Sequence, residues 1–131
     1  MSKKISVETN AINWFEISVT DIARATKFYE TILEIELTPM EMIGMKMAMF
    51  PYDGANGKVG GALVQSEMHT PGATGTVIYL NANPDLDLVF KRIEKAGGRT
   101  SMPKTLIDEN SGFMAFFTDT EGNIIGLHSN K

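Results

Sequence analysis

Apolar and polar positions along this chain alternate with two different periods, and the order in which those periods occur repeats. Ile12-Asn-Trp-Phe-Glu-Ile-Ser-Val19 is a short aromatic and β-branched run, which predicts a strand with both faces partly covered. Asp21 then stands before Ile-Ala-Arg-Ala-Thr-Lys-Phe-Tyr-Glu-Thr-Ile-Leu, where Ile22, Ala25, Phe28, Tyr29, Ile32 and Leu33 share one helical face. A carboxylate at that point accepts from unpaired amides, so the pattern predicts a capped amphipathic helix. Strand-sized segments follow at Glu36 to Met40, Met45 to Phe50 and Val59 to Gln65, broken at Gly44 and by the Pro51 to Gly57 loop.

The same order recurs after Pro71-Gly-Ala-Thr-Gly75. Thr76 to Asn81 predicts a strand, and Asn83 or Asp85 a cap. Leu86, Val89, Phe90, Ile93 and Ala96 form a helical stripe that Gly97-Gly98 ends. Strands are expected near Arg99 to Met102, Phe113 to Thr118 and Asn123 to His128, the last two joined by a turn at Asp119-Thr-Glu-Gly122. The chain therefore reads as one domain over 1–131. Module one covers about 11–67, a linker about 68–75 and module two about 76–129, each a strand, a helix and three strands.

Composition narrows the partners. With 131 residues and 43% apolar content the chain is sized for one core. Twelve basic residues against sixteen acidic ones, with no basic stripe, argue against nucleic acid. No apolar run is long enough to span a bilayer, and the Met-Ser-Lys-Lys-Ile start does not read as a signal peptide, so a cytoplasmic protein without membrane contact is expected. The absence of cysteine removes disulfides and thiolate chemistry together.

Three stretches carry a resemblance to a known family: Phe15-Glu-Ile-Ser-Val-Thr-Asp21 with its helix to Tyr29, Asp85-Leu to Gly98, and Asp119-Thr-Glu-Gly-Asn-Ile-Ile-Gly-Leu127. Together they make the chain resemble the vicinal oxygen chelate superfamily, which includes glyoxalase I, bleomycin-resistance proteins, extradiol dioxygenases and fosfomycin-resistance enzymes. The resemblance implies an α+β fold of two tandem βαβββ modules, with curved mixed β-sheets around a cavity. It also implies pairing into a homodimer, and in metal-dependent members a divalent ion held by His, Gln or Glu from both modules. Carried onto this sequence, the ligand positions are Trp14, Val77 (Thr76 or Ile78 with another gap placement), Gly126 where relatives carry Glu, and a position near Ala62 and Leu63. Such ions need carboxylate, imidazole or thiolate donors. No metal and no other cofactor is therefore expected at the family position.

Two polar residues stand one pleat step from those positions, Glu16 after Trp14 and His128 after Gly126. Converging on one cavity, they would form a general acid–base pair, with Glu16 as base. The plainer alternative is a local hydrogen bond for His128 and a structural carboxylate at Glu16. Met45, Met47 and Met49 alternate on one strand face, as core or as an adaptable lining. Trp14, Met47, Met49, Phe50 and Tyr79 are the candidate ligand-binding residues. His69 in the linker reads as solvated, Glu121 as an ordinary turn residue, and Lys46, Lys58, Arg99 and Lys104 as surface charges. Three functions remain open: a metal-independent binder of a small apolar or aromatic molecule, a lyase or isomerase using Glu16 and His128, and a structural or regulatory dimer.

Overall fold

The computed structural model describes residues 4–131; the Met1 to Lys3 start, read above for targeting, lies outside them. Its elements run β1 (Trp14–Ser18), α1 (Ile22–Leu33), β2 (Thr38–Met42), β3 (Met45–Met49), β4 (Gly60–Gln65), β5 (Tyr79–Asn81), α2 (Asp87–Phe90), β6 (Arg99–Asp108), β7 (Gly112–Thr118) and β8 (Ile124–Ser129). They form two four-stranded sheets in the orders β1-β4-β3-β2 and β5-β8-β7-β6. In each, the first strand of the module runs parallel to the last, while the other pairs are antiparallel. This is the duplicated α+β fold that the periodicity predicts. No helix among the described residues is long and apolar enough to cross a membrane.

Local chemistry explains most boundaries. Asp21 caps α1 by accepting from the Arg24 amide at 3.1 Å, and Glu34 ends the helix in the left-handed region. The second helix is shorter than its apolar stripe suggests. Beyond Phe90 several amides reach only three residues back, as Arg92 does to Val89 and Ile93 to Phe90, before Gly97 ends the segment at a φ of +108°. The stripe still buries Leu86, Val89 and Ile93, because periods of 3 and 3.6 keep the same face over two turns. Asp85 contributes at the helix start, accepting from the Asp87 amide at 3.0 Å.

One continuous core joins the helices to the near faces of both sheets. Phe28, Tyr29 and Ile32 of α1 meet Ile17, Val19, Ala48 and Leu63 of the first sheet and Leu80, Ala115, Phe117 and Leu127 of the second. Burying one such large side chain is worth about 1.5–3 kcal/mol. A second, smaller cluster lies on the opposite face of the first sheet, where Met47, Ala62 and Val64 pack with Trp14, Met45 and Met49. The two sheet faces thus divide by pleat: Phe15 and Ile17 point toward α1, Trp14 and Glu16 away from it.

The modules are fastened where the β7–β8 turn enters the first module. The Tyr29 hydroxyl donates to Asp119 Oδ2 at 2.7 Å, and the Asn123 amide donates to the Ser18 carbonyl at 2.8 Å. Burial, with the nearby Asp119 carboxylate, pushes the Tyr29 phenol well up, so it remains a donor. Glu121, with a fully covered side chain, accepts from the amides of Thr20 and Asp21 at 2.9 and 3.0 Å and pairs with Arg24 at 2.8 Å. Burial alone would raise this carboxyl, but hydrogen bonds from Arg24, Thr120 and Thr20 outweigh it and hold its pKa at about 2.

A carboxyl depressed from 4.5 to about 2 stabilises the fold fully above its unfolded value, and that contribution is lost as the pH falls toward the folded value. Glu121→Gln should therefore flatten the loss of stability between about pH 5 and about pH 2 in denaturant titrations. Glu121→Ala should cost about 1–3 kcal/mol at neutral pH, since several donors lose their acceptor while the half-exposed Arg24 can recover water.

Candidate functional site

The face of the first sheet turned away from α1 presents Trp14, Glu16 and the methionines of β3. Pairing of Trp14 with Gly60 and of Glu16 with Ala62 sets β1 beside small residues of β4, and the Tyr52 ring fills the space over Gly60, where a Cβ would lie 2.5 Å from Tyr52 Cγ. The Trp14 indole meets Tyr52 edge-on, with ring centroids 5.6 Å apart, and donates to Glu16 Oε2 at 3.2 Å. Met47 is buried in this cluster, whereas Met45 and Met49 are half-buried. Phe50 does not line this face. One residue beyond Met49, it takes the opposite side of the pleat and packs on Phe15 and Tyr29 in the main core.

Glu16 and His128 are not brought together. Glu16 Oε1 meets His69 Nε2 at 2.7 Å, while His128 Nε2 lies 2.6 Å from the Ser111 carbonyl oxygen, beside the β6–β7 turn. The expected acid–base pair is thus replaced by a different one, because the linker carries His69 over β1 while β8 turns His128 toward its own module. His69 is correspondingly not solvated: its side chain is 17% exposed and its Nδ1 lies 2.7 Å from Ser66 Oγ. Contact between residues 53 apart, made across a linker without period, leaves no trace in the pattern; only the Ser66-x-x-His69 spacing hints at a local turn.

On the second sheet, Tyr79 sits half-exposed beside Phe116, with ring centroids 5.6 Å apart. Its ring covers Gly126, its partner in the β5–β8 register. A Cβ placed on Gly126 would lie 2.5 Å from Tyr79 Cδ2. Between the modules, a groove of about 560 Å³ is lined by Ile12, Phe15, Val59, Val77, Ile78 and Tyr79 among others. Nearer the linker a smaller cavity of about 190 Å³ is bounded by Glu16, Ser18, Thr74, Thr76, Ile78 and Asn123.

With this geometry in place, the comparisons identify the class. The model of the glyoxalase/bleomycin resistance protein/dioxygenase superfamily matches residues 11–127, and the chain belongs to that superfamily. Among solved structures it is similar to a glyoxylase/bleomycin resistance protein/dioxygenase domain from Frankia sp. EAN1pec, at 15% identity and a TM-score of 0.70, covering 93% of this chain and 98% of that one. It is also similar to a genomically encoded fosfomycin resistance protein from Listeria monocytogenes, at 17% identity and a TM-score of 0.63, covering 100% and 94%. A glyoxalase I variant from Zea mays aligns at 18% identity and a TM-score of 0.67, over 89% of this chain but 45% of that one, so the chain spans about half of the maize protein. No curated protein matches the sequence.

The family ligand positions do not fit a divalent ion. Trp14 offers an N–H donor already directed at Glu16, Val77 is apolar, Ala62 and Leu63 are fully buried, and Gly126 lies under an aromatic ring. Among the described residues, no group of three or more His, Cys, Asp or Glu side chains could hold a metal.

The Tyr79–Gly126 contact can be tested by replacement. Gly126→Glu should lower stability by about 1–3 kcal/mol through overpacking, read from denaturant midpoints, and Tyr79→Ala in the same chain should recover most of that loss.

Proposed function

We propose that the chain binds a small apolar or aromatic molecule at the seam between its modules, without a metal. The observation that carries this reading is the 560 Å³ groove, to which the first module contributes Ile12, Phe15 and Val59 and the second Val77, Ile78 and Tyr79. That volume lies in the range of small-molecule sites, and an apolar lining with an aromatic wall favours planar apolar ligands. The donor chemistry at Trp14, Val77 and Gly126 supports metal independence. Superfamily membership is compatible with binding and with catalysis alike, so the site rather than the fold selects between them.

The probe for this reading is 1-anilinonaphthalene-8-sulfonate, followed by its fluorescence and by the melting temperature of the protein. Saturable one-to-one binding that raises the melting temperature is expected. Val77→Glu, which sets a negative charge against the anionic probe on an already exposed residue of the groove, should weaken it by at least about tenfold. Unchanged affinity in Val77→Glu, with the fold intact, removes the groove as the site. Metal analysis of the purified chain checks the second half: stoichiometric zinc, nickel, manganese or iron refutes metal independence.

A further inference from the structure

Ser66, His69 and Glu16 form an unbroken chain of hydroxyl, imidazole and carboxylate, with both links 2.7 Å long. The protons in it are determined by the acceptors. Glu16 can only accept when ionised, so His69 carries its proton on Nε2 and presents the Nδ1 lone pair to Ser66. The Ser66 oxygen meanwhile accepts from the Met68 amide at 3.0 Å, which leaves its own O–H to donate to Nδ1. The Ser66 to His69 turn is closed by the His69 amide donating to the Ser66 carbonyl at 3.2 Å, together with those two contacts at the Ser66 hydroxyl. The carboxylate at the far side of the ring does more: it fixes the tautomer and would stabilise an imidazolium, as the orienting member of a nucleophile–base–carboxylate set does.

The hydroxyl end of this chain opens on a cavity of about 370 Å³, lined by Val19, Thr20, Gly44, Lys46, Gln65, Ser66, Glu67 and His69. Lys46 stands opposite Gln65 in the β3–β4 register, next to Ser66 in sequence, and forms no salt bridge among the described residues. It lines the same cavity as the Ser66 hydroxyl and is the basic side chain there. Glu67 is the other charged residue at the rim.

We propose that Ser66 is a nucleophile activated by His69, with Glu16 orienting the ring, and that this site cleaves small neutral carboxylic esters. Ser66 Oγ attacks the ester carbonyl carbon while its proton passes to His69 Nδ1, and the oxyanion so formed shares the cavity with Lys46. Collapse breaks the bond to the leaving oxygen, which takes the proton from Nδ1. Water then attacks the acyl-serine with His69 again accepting a proton, releasing the carboxylic acid and restoring Ser66. The sum is ester and water to acid and alcohol. This site stands apart from the seam groove and shares no residue with its lining.

The test treats the intact protein with diisopropyl fluorophosphate and, separately, with p-nitrophenyl acetate, and locates adducts by tandem mass spectrometry. A phosphoryl adduct on Ser66 is expected, with loss of fluoride, together with release of p-nitrophenolate. Ser66→Ala should abolish both. His69→Gln and Glu16→Gln, with melting temperatures within a few degrees of the parent, should slow them at least about tenfold. Ser111→Ala, at a serine engaged with Asp108, should leave the rates unchanged. Absence of any Ser66 adduct, or equal labelling in a folded His69→Gln variant, overturns the assignment.

Discussion

The insertion of the β7–β8 turn into the first module is the contact on which the arrangement of this protein depends. Neither sheet hydrogen-bonds to the other along its strands, since β1 and β5 pair only with β4 and β8. The seam is closed by the shared core and by a polar plug. Asp119 receives Tyr29 on one oxygen and the amides of Glu121 and Asn123 on the other, while Glu121 gathers Thr20, Asp21 and Arg24 at the start of α1. Charge-assisted bonds to a covered carboxylate are directional, so the plug sets the angle between modules as well as holding them. Asn123 extends it: its side-chain oxygen accepts from the Gly72 amide, which draws the linker over the same junction.

That junction decides what chemistry the surface can present. Because the linker is drawn over β1, His69 reaches Glu16, and a carboxylate that would otherwise face solvent acquires an imidazole. Because β5 lies against β8, Tyr79 falls on Gly126, and an aromatic ring occupies space that a longer side chain at that position would need. The polar and apolar parts of the surface are therefore both products of how two similar modules meet.

Much of the architecture was legible because it rests on local signals. Period-two and period-3.6 patterning, the Asp21 cap and the glycines after the second helix are all short-range, and their repetition gave the duplicated α+β order. That Met45, Met47 and Met49 share one face of their strand, and Glu16 that of Trp14, followed from the pleat alone. Phe50 was misplaced by extending β3 one residue without reversing its face, and the extent of the second helix was overstated because an apolar stripe does not distinguish α from three-residue turns. The pairing of Glu16 was illegible for another reason. Its partner lies on a connection whose path is set by the Gly72–Asn123 contact, and Glu121 looked like a plain turn residue because its partners lie about a hundred positions away.

The Tyr79 ring over Gly126 has a consequence for how such a chain can change over generations. A carboxylate at residue 126 meets the ring, and removing the ring alone exposes a bare glycine. Each replacement by itself takes something away, and only the two together exchange one arrangement for the other. Between this chain and a relative bearing Glu at that position lies a step that single substitutions cross only through a less stable intermediate, and a packing contact of this kind can hold a lineage on one side of it.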